Sequence, residues 1–200
     1  VWSPDGKSLA VCGDVDPEEA DASVGTEGVP QVTVVQRVRY RYDTLGWRGD
    51  AHFHLFVVNL DSDETRQLTD GDWDDTAPVW SPDGSQIAFI SGRRDDRDFL
   101  ALSEVYTVPT EGGEPKLVSE GLLSVGALTW SPDGRQLAVV GSDAPEGMVL
   151  LQGWLYVLED GKEPQKLTDD TIKPYLGFPP VMRPATLHWT DHGQILYLGE

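Results

Sequence analysis

The chain has 200 residues, with 34 acidic against 15 basic side chains and a net charge of −19. A surface this negative repels phosphate groups, which argues against partners such as nucleic acid or anionic membranes. No apolar run approaches the roughly 18 residues of a transmembrane helix, and no signal peptide is visible. A single cysteine, Cys12, allows neither a disulfide framework nor a thiolate zinc site. We therefore expect a cytoplasmic protein without a metal or other cofactor.

The first element in the chain is a tryptophan-led turn that recurs. Trp2–Gly6 reads Trp-Ser-Pro-Asp-Gly, the same pentapeptide returns at 80–84 and 130–134, and a degraded copy stands at 189–193. Proline suits the second position of a type I turn and glycine the fourth, while the aspartate can bond nearby backbone N–H groups. Tryptophan supplies an apolar body that can wedge between neighbouring sheets. Each part of the motif is structural, so we expect none of its aspartates to be catalytic.

Every turn leads into an apolar strand, and a second pair of strands follows. The strands after the turns span 8–11, 86–90, 136–140 and 194–198. The later pairs span 55–60 with 66–69, 104–108 with 115–118, and 154–158 with 164–168. Four antiparallel strands per unit in radial repetition are typical of a propeller. The sequence therefore predicts an all-β fold, a β-propeller of four-stranded antiparallel blades with WD40-like (PD40) repeats.

The units differ in length, and the last is short. We predict units at about 1–69 with an insertion at 14–50, at 70–118, at 119–168, and an incomplete one at 169–200. Propellers close with about four to eight blades, so about three and a half units predict a partial ring and a fragment of a longer chain.

The insertion contains an acidic, small-residue-rich stretch and then an arginine-bearing strand. In the second half of residues 32–42, from 37 to 42, arginines alternate with apolar or aromatic side chains, which is the period of a strand with one charged face. The arginines are Arg37, Arg39 and Arg41. They can hold a carboxylate through bidentate hydrogen bonds, or they can pair with the surrounding acidic side chains on an exposed ribbon. The aromatic-centred turn at 43–48 either packs the insertion onto its blade or lines a binding surface.

Two histidine pairs and an acidic hexapeptide are the remaining candidate sites. His52 and His54 share one face of a predicted strand, but no third ligand accompanies them, so we interpret them as a strand-entry pair satisfied by carboxylates. His188 and His192 flank the fourth turn and fit a role in that turn. The acidic hexapeptide at 70–75 has four carboxylates, yet it lacks the final glutamate of a calcium loop and is expected as a polar connection.

The long connection at 171–183 enters the last unit. Its aromatic side chains either reach toward a ligand at the propeller face or cover a sheet edge. The sequence leaves both alternatives open.

Several stretches resemble the propeller of prolyl-oligopeptidase-type serine peptidases, above all the bacterial acylaminoacyl-peptidase or dipeptidyl-aminopeptidase-like branch. They are Arg-Tyr-Arg-Tyr-Asp-Thr-Leu-Gly-Trp-Arg at 39–48, His-Leu-Phe-Val-Val at 54–58, Gln-Leu-Thr-Asp-Gly-Asp-Trp-Asp-Asp at 67–75, and the Trp-Ser-Pro-Asp-Gly repeats. The repeats alone also fit the propeller of the translocation protein TolB. The arginine and Gly-Trp stretch favours the peptidases.

The resemblance implies a propeller that restricts access and positions short peptides for a C-terminal α/β-hydrolase domain of the same chain, which carries Ser, Asp and His. No Gly-x-Ser-x-Gly nucleophile elbow occurs in these residues, so no catalytic residue is predicted here. In some such relatives propeller arginines bind a substrate terminus. The candidates by position are Arg37, Arg39, Arg41 and Arg48. The alternative function is a TolB-like scaffold that binds proteins without enzymatic activity.

Overall fold

The structure is a computed structural model that describes residues 1–16, 38, 40–42, 46–100, 102–143, 153–171, 174 and 186–199. This part of the chain contains no helix, and hence none with the length and apolarity to cross a membrane. Its strands are β1 (Ser8–Val15), β2 (Arg41–Tyr42), β3 (Gly46–Trp47), β4 (His52–Asn59), β5 (Thr65–Gln67), β6 (Asp75–Trp80), β7 (Gln86–Ser91), β8 (Glu104–Pro109), β9 (Lys116–Leu117), β10 (Ser124–Trp130), β11 (Gln136–Ser142), β12 (Trp154–Glu159), β13 (Gln165–Lys166), β14 (Leu187–Trp189) and β15 (Ile195–Tyr197).

These strands form a series of antiparallel sheets in chain order. The first sheet has the order β1-β4-β5, the second β6-β7-β8-β9, the third β10-β11-β12-β13 and the fourth β14-β15, while β2 and β3 make a separate small ribbon. A bridge from Trp2 to Leu9 and hydrogen bonds between Val1 and Ala10 add a short segment beside β1. The predicted all-β fold is confirmed.

The sheets stack face to face, and the middle strands are buried on both sides. On β7, Ile87 and Phe89 pack toward the first sheet, whereas Ala88 and Ile90 pack toward the third. A strand covered on both faces needs apolar side chains at successive positions, which explains the apolar runs after each turn. A further core cluster joins the third sheet to the fourth.

The motif tryptophans link neighbouring sheets. The Trp80 indole N–H donates to the Val1 carbonyl at 3.3 Å, and the Trp130 indole N–H donates to the Val79 carbonyl at 3.2 Å. In both cases the acceptor is the residue directly before the motif tryptophan of the preceding unit. The wedge role predicted for these side chains therefore has a specific hydrogen bond as well as apolar packing.

Side-chain hydrogen bonds close each motif turn. In the second unit, Gly84 N donates to Ser81 O at 2.9 Å, the Ser81 hydroxyl donates to Asp83 Oδ1 at 2.7 Å, and Gln86 N donates to the Ser81 hydroxyl at 3.1 Å. The hydroxyl of Ser81, with the backbone N–H and hydroxyl of Ser85, lowers the pKa of Asp83 to about 2. The turn thus favours the ionised aspartate.

Acid should therefore weaken the fold partly through Asp83. Because its pKa is lowered on folding, its contribution is present above the ordinary value of 3.8 and is lost as the pH falls toward about 2. We expect the melting temperature of the wild type to fall more between pH 4 and pH 2 than that of Asp83→Asn. Glu163→Gln, which removes an exposed carboxylate outside the motif turns, is the control. An Asp83→Asn variant that loses as much as the wild type would contradict the expectation.

The antiparallel strands place successive connections at opposite ends of the sheets. The turn face contains the motif turns and the connections from β4 to β5, β8 to β9 and β12 to β13. The insertion face contains the connections from β1 to β4 and β7 to β8, together with those that lead from one sheet to the next. The candidate site lies on the insertion face.

Candidate functional site

The acidic linker, residues 70–75, joins β5 to β6 and is the centre of a charged cluster. It meets the start of β4, the end of the insertion and the connection from β7 to β8. Three of its aspartates each pair with a different arginine, and each of the three also faces a histidine of β4. These ion pairs are Asp72 with Arg97, Asp74 with Arg48 and Asp75 with Arg93.

Arg48, which directly follows β3, attaches the end of the insertion to two other elements. It is buried, with 7% of its surface exposed, and its Nη2 donates to Asp14 Oδ1 at 2.8 Å and to Ala51 O at 3.0 Å. The same nitrogen lies 3.4 Å from Asp74 Oδ1. The guanidinium also stacks 3.9 Å from the centre of the Phe53 ring. Arg48 therefore ties the insertion to β1 and to the acidic linker.

Asp74 is held ionised by three neighbours. Burial is the largest single influence and raises its pKa. The nearby His52 ring, whose Nδ1 lies 3.6 Å from Asp74 Oδ1, the hydrogen bond from Phe53 N and the charge of Arg48 together lower the pKa below its ordinary value. Phe53 N donates to Asp74 Oδ1 at 2.8 Å. Because Phe53 lies on β4, this bond fixes the linker against the first sheet.

Asp75 is the most deeply buried carboxylate of the cluster. Arg93 Nη2 donates to both of its oxygens, at 3.0 and 3.2 Å, and His54 Nδ1 lies 3.5 Å from Oδ2. The guanidinium of Arg93 lies over the rings of Trp73 and Tyr106, 4.8 and 4.9 Å from their centres. Burial, together with the nearby Glu104 carboxylate, raises the pKa of Tyr106 to about 12. The charge pair is thus enclosed by aromatic side chains between the first and second sheets.

The connection from β7 to β8 is fastened to the same linker. Arg97 donates to the Asp72 carboxylate and, at 2.7 Å, to the Asp72 carbonyl. His52 Nε2 lies 3.0 Å from Asp72 Oδ1. His52 and His54 therefore face linker carboxylates, as the strand-entry interpretation expects. Within the described ranges, no group of three His, Cys, Asp or Glu side chains is arranged to hold a metal ion.

A cavity of about 200 Å³ opens beside this cluster. Its lining includes Arg48, His52, Trp73, Arg97 and Ser103. It therefore combines guanidinium groups with an aromatic surface at the junction of the first two units.

The structure describes two of the four arginines proposed as substrate-binding residues. Arg48 lines the cavity, with one nitrogen engaged by protein oxygens. Arg41 is exposed on β2, which pairs with β3. Arg37 and Arg39 lie outside the described residues, as do Tyr175, Phe178 and the rest of 175–185 in the long connection.

Sequence reasoning missed Arg93 and Arg97. Both stand in the run Arg-Arg-Asp-Asp-Arg-Asp at 93–98, directly after a buried strand. A charge-rich connection at the same end of the sheet as an acidic linker was the available signal, because opposite charges placed at one end of adjacent units are expected to pair.

Two curated proteins are similar in sequence to part of this chain, whereas no protein-family model matches it. It is 33% identical over 108 residues to the uncharacterized peptidase YuxL of Bacillus subtilis (strain 168). It is 39% identical over 56 residues to the Tol-Pal system protein TolB of Alkalilimnicola ehrlichii. These alignments cover 53% and 28% of this chain but only 16% and 13% of the two relatives.

Solved structures show the same arrangement of sheets. The acylaminoacyl peptidase of Pyrococcus horikoshii matches with a TM-score of 0.56 at 18% identity, over 85% of this chain and 25% of that one. A TolB-like protein of Agrobacterium tumefaciens matches with a TM-score of 0.54 at 22% identity, over 84% and 47%. The fold is a β-propeller. The predicted resemblance to peptidase propellers is thereby confirmed, as a likeness of fold to a solved peptidase and of sequence to a curated one.

A puromycin-hydrolyzing peptidase of Mycobacterium tuberculosis matches the propeller as well. Its TM-score is 0.54 at 21% identity, over 74% of this chain and 23% of that one. Propellers of peptidases and of TolB proteins thus share this arrangement of blades. The fold alone does not choose between an enzyme-associated and a scaffolding role, so the choice depends on the sequence similarity and on the site.

Proposed function

We propose that this chain is the propeller portion of a serine peptidase, where it limits access and positions short peptides for hydrolysis in a following α/β-hydrolase domain. The observation that carries the proposal is the 33% identity over 108 residues to a curated peptidase. That alignment is longer than the 56-residue match to TolB. The proposal places the whole protein in the cytoplasm.

The insertion face is the side on which we place the peptide. The cavity beside the acidic linker opens there, and buried Arg48 fastens the end of the insertion next to it. Arg41 is exposed on the ribbon that directly precedes Arg48. We assign the binding of a peptide carboxylate to Arg37, Arg39 and Arg41, because a guanidinium matches a carboxylate in charge and in fork geometry.

The carboxylate role is tested on the intact protein with matched peptides. For the Arg39→Ala, Arg41→Ala double variant, we expect KM to rise about tenfold for peptides with a free C-terminal carboxylate, because a charge-assisted hydrogen bond is lost. KM for the same peptides with an amidated C-terminus should change little. Arg135→Ala, an exposed arginine on the turn face, is the control. An equal rise for both kinds of peptide would remove the carboxylate role.

The peptidase assignment itself has a simpler test. The reading frame downstream of Glu200 should encode a serine nucleophile elbow, and the intact protein should hydrolyse aminoacyl or acyl-peptide chromogenic substrates until a serine-directed inhibitor is added. The 200 residues alone should give no turnover. A downstream region without the catalytic serine would refute the proposal.

The second candidate function is a TolB-like scaffold that binds a protein partner without catalysis. The 39% identity over 56 residues to TolB favours it. This alternative expects a signal peptide upstream of Val1 and no hydrolase domain downstream. Capture of a defined envelope protein from a periplasmic extract, by an intact protein that lacks hydrolytic activity, would support the scaffold and exclude the peptidase.

A further inference from the structure

A groove of about 660 Å³ lies on the turn face, between the first and second sheets and opposite the charged cluster. Its size is within the range of about 300–1,000 Å³ that ligand sites occupy. Both sheets contribute to its walls. The residues that matter for its chemistry are Asp5, Ser8, Glu64, Arg66, Trp80 and Asp83.

The groove has an excess of negative charge. In the described part of the chain, no cationic group lies within ion-pair distance of Asp5, Glu64 or Asp83, although the charge of the neighbouring Lys7 contributes to lowering the pKa of Asp5. The one arginine in the lining, Arg66, is already engaged: its Nη2 donates to Thr110 O at 2.6 Å and its Nη1 to Glu111 at 3.2 Å. Hydrogen bonds of the motif turn keep Asp83 ionised. The free charge in this groove is therefore anionic.

The same position one unit further along shows how the repeat closes such a groove. Between the second and third sheets the cavity is only about 150 Å³, and its lining includes Gln86 and the cation Arg135. In the repeat, Ser8 occupies the position of Gln86, and Ser85, which does not line the first groove, occupies the position of Arg135. The first groove thus lacks the longer side chain and has Arg66 as its one lining cation, whereas its neighbour is lined by Lys116 and Arg135.

Backbone hydrogen bonds show that Ser8 occupies the position at which the other units have a glutamine. Its backbone N–H donates to the hydroxyl of the motif turn, as do those of three glutamines. The glutamines in the equivalent positions are Gln86, Gln136 and Gln194. A glutamine at position 8 is therefore compatible with this fold.

We propose that the groove binds an extended peptide segment that carries arginine or lysine side chains. Charge complementarity selects a cationic occupant, since Asp5, Glu64 and Asp83 line the groove. The half-buried indole of Trp80 forms part of the wall, where its face can receive a guanidinium or ammonium group. The site lies on the face opposite the proposed substrate side, so it is independent of the peptidase proposal.

The test measures binding of fluorescein-labelled Gly-Arg-Pro-Arg-Pro-Arg-Gly to the full 200-residue chain by fluorescence anisotropy. Ser8→Gln, which fills the groove with the residue that the other units carry, should weaken binding about fivefold or more. Glu64→Gln should weaken it by a similar factor. Glu163→Gln, which removes an exposed charge from the turn face away from the groove, should change the affinity less than about twofold.

Each outcome decides the matter once thermal melting has shown that Ser8→Gln keeps the wild-type fold. Weaker binding by Ser8→Gln and Glu64→Gln, with Glu163→Gln unchanged, supports the groove. If Ser8→Gln binds as tightly as the wild type, or if Glu163→Gln loses as much as Glu64→Gln, the peptide is attracted by diffuse negative charge and the proposal is wrong. A wild-type chain that does not bind the peptide overturns it as well.

Discussion

Asp75→Asn is expected to lower the free energy of unfolding by about 3–5 kcal/mol. The carboxylate is fully buried, and it accepts hydrogen bonds from Arg93, whose side chain is 14% exposed. Asparagine keeps the shape but removes the charge, which leaves the guanidinium without its counter-charge between two sheets. The cost of an uncompensated buried charge is larger than the net value of the ion pair itself.

Urea unfolding with linear extrapolation measures this loss, and an exposed pair is the matched control. Glu111→Gln breaks the pair with Arg66, but the Glu111 side chain is 87% exposed, so we expect a change below about 1 kcal/mol. Adding Arg93→Met to Asp75→Asn should recover part of the stability, because no buried charge then remains unpaired. A loss below about 1 kcal/mol for Asp75→Asn would show that water or a rearranged side chain compensates Arg93.

Phe89→Ala should cost about 3–5 kcal/mol through loss of packing rather than of charge. Phe89 is fully buried on β7, in the core between the first and second sheets, and its ring lies 6.0 Å from that of Tyr106. Truncation removes the apolar contact and leaves a cavity next to the Arg93 pair. The interface between the first and second sheets therefore loses part of both its apolar and its charged contacts.

Phe99→Ala is the corresponding control, because it makes the same substitution where the side chain is 76% exposed. We expect its free energy of unfolding to stay within about 0.5 kcal/mol of the wild type. Both variants are compared in the same urea titration. Similar losses for the two would mean that Phe99 is covered in solution, or that Phe89 is less important for packing than its burial indicates.

The fold could be predicted from the sequence because the residues of the repeated motif determine the turn and the strand after it locally. The turn needs its proline, aspartate and glycine whatever surrounds it, and the apolar run after the turn reflects burial on two sides. Strand length was less visible. The first strand was predicted to end at Val11, whereas β1 continues to Val15, where it pairs with His52. Gly13 and Asp14 interrupt the apolar pattern, and only the partner strand shows that pairing continues.

The charged cluster could not be predicted in the same way. Its bonds join residues that are distant in the chain: Arg48 and Asp14 are 34 positions apart, and Arg97 and Asp72 are 25 apart. In so acidic a chain, every arginine has many possible carboxylate partners. Composition therefore predicts that arginines will be paired, while the stacking of units determines which pairs form. Arg48 was a candidate by its position in the stretch that resembles peptidase propellers, but its contact with Asp74 depends on where the linker lies.

The indole hydrogen bonds have a consequence for how such an array comes apart. Trp80 and Trp130 each reach only the unit directly before their own. Coupling of this kind is nearest-neighbour, as in a one-dimensional chain of cooperative elements, so damage at one joint lowers the local opening free energy without loosening distant joints to the same degree. Amide hydrogen exchange should accordingly resolve separate opening events along the array, each with its own free energy.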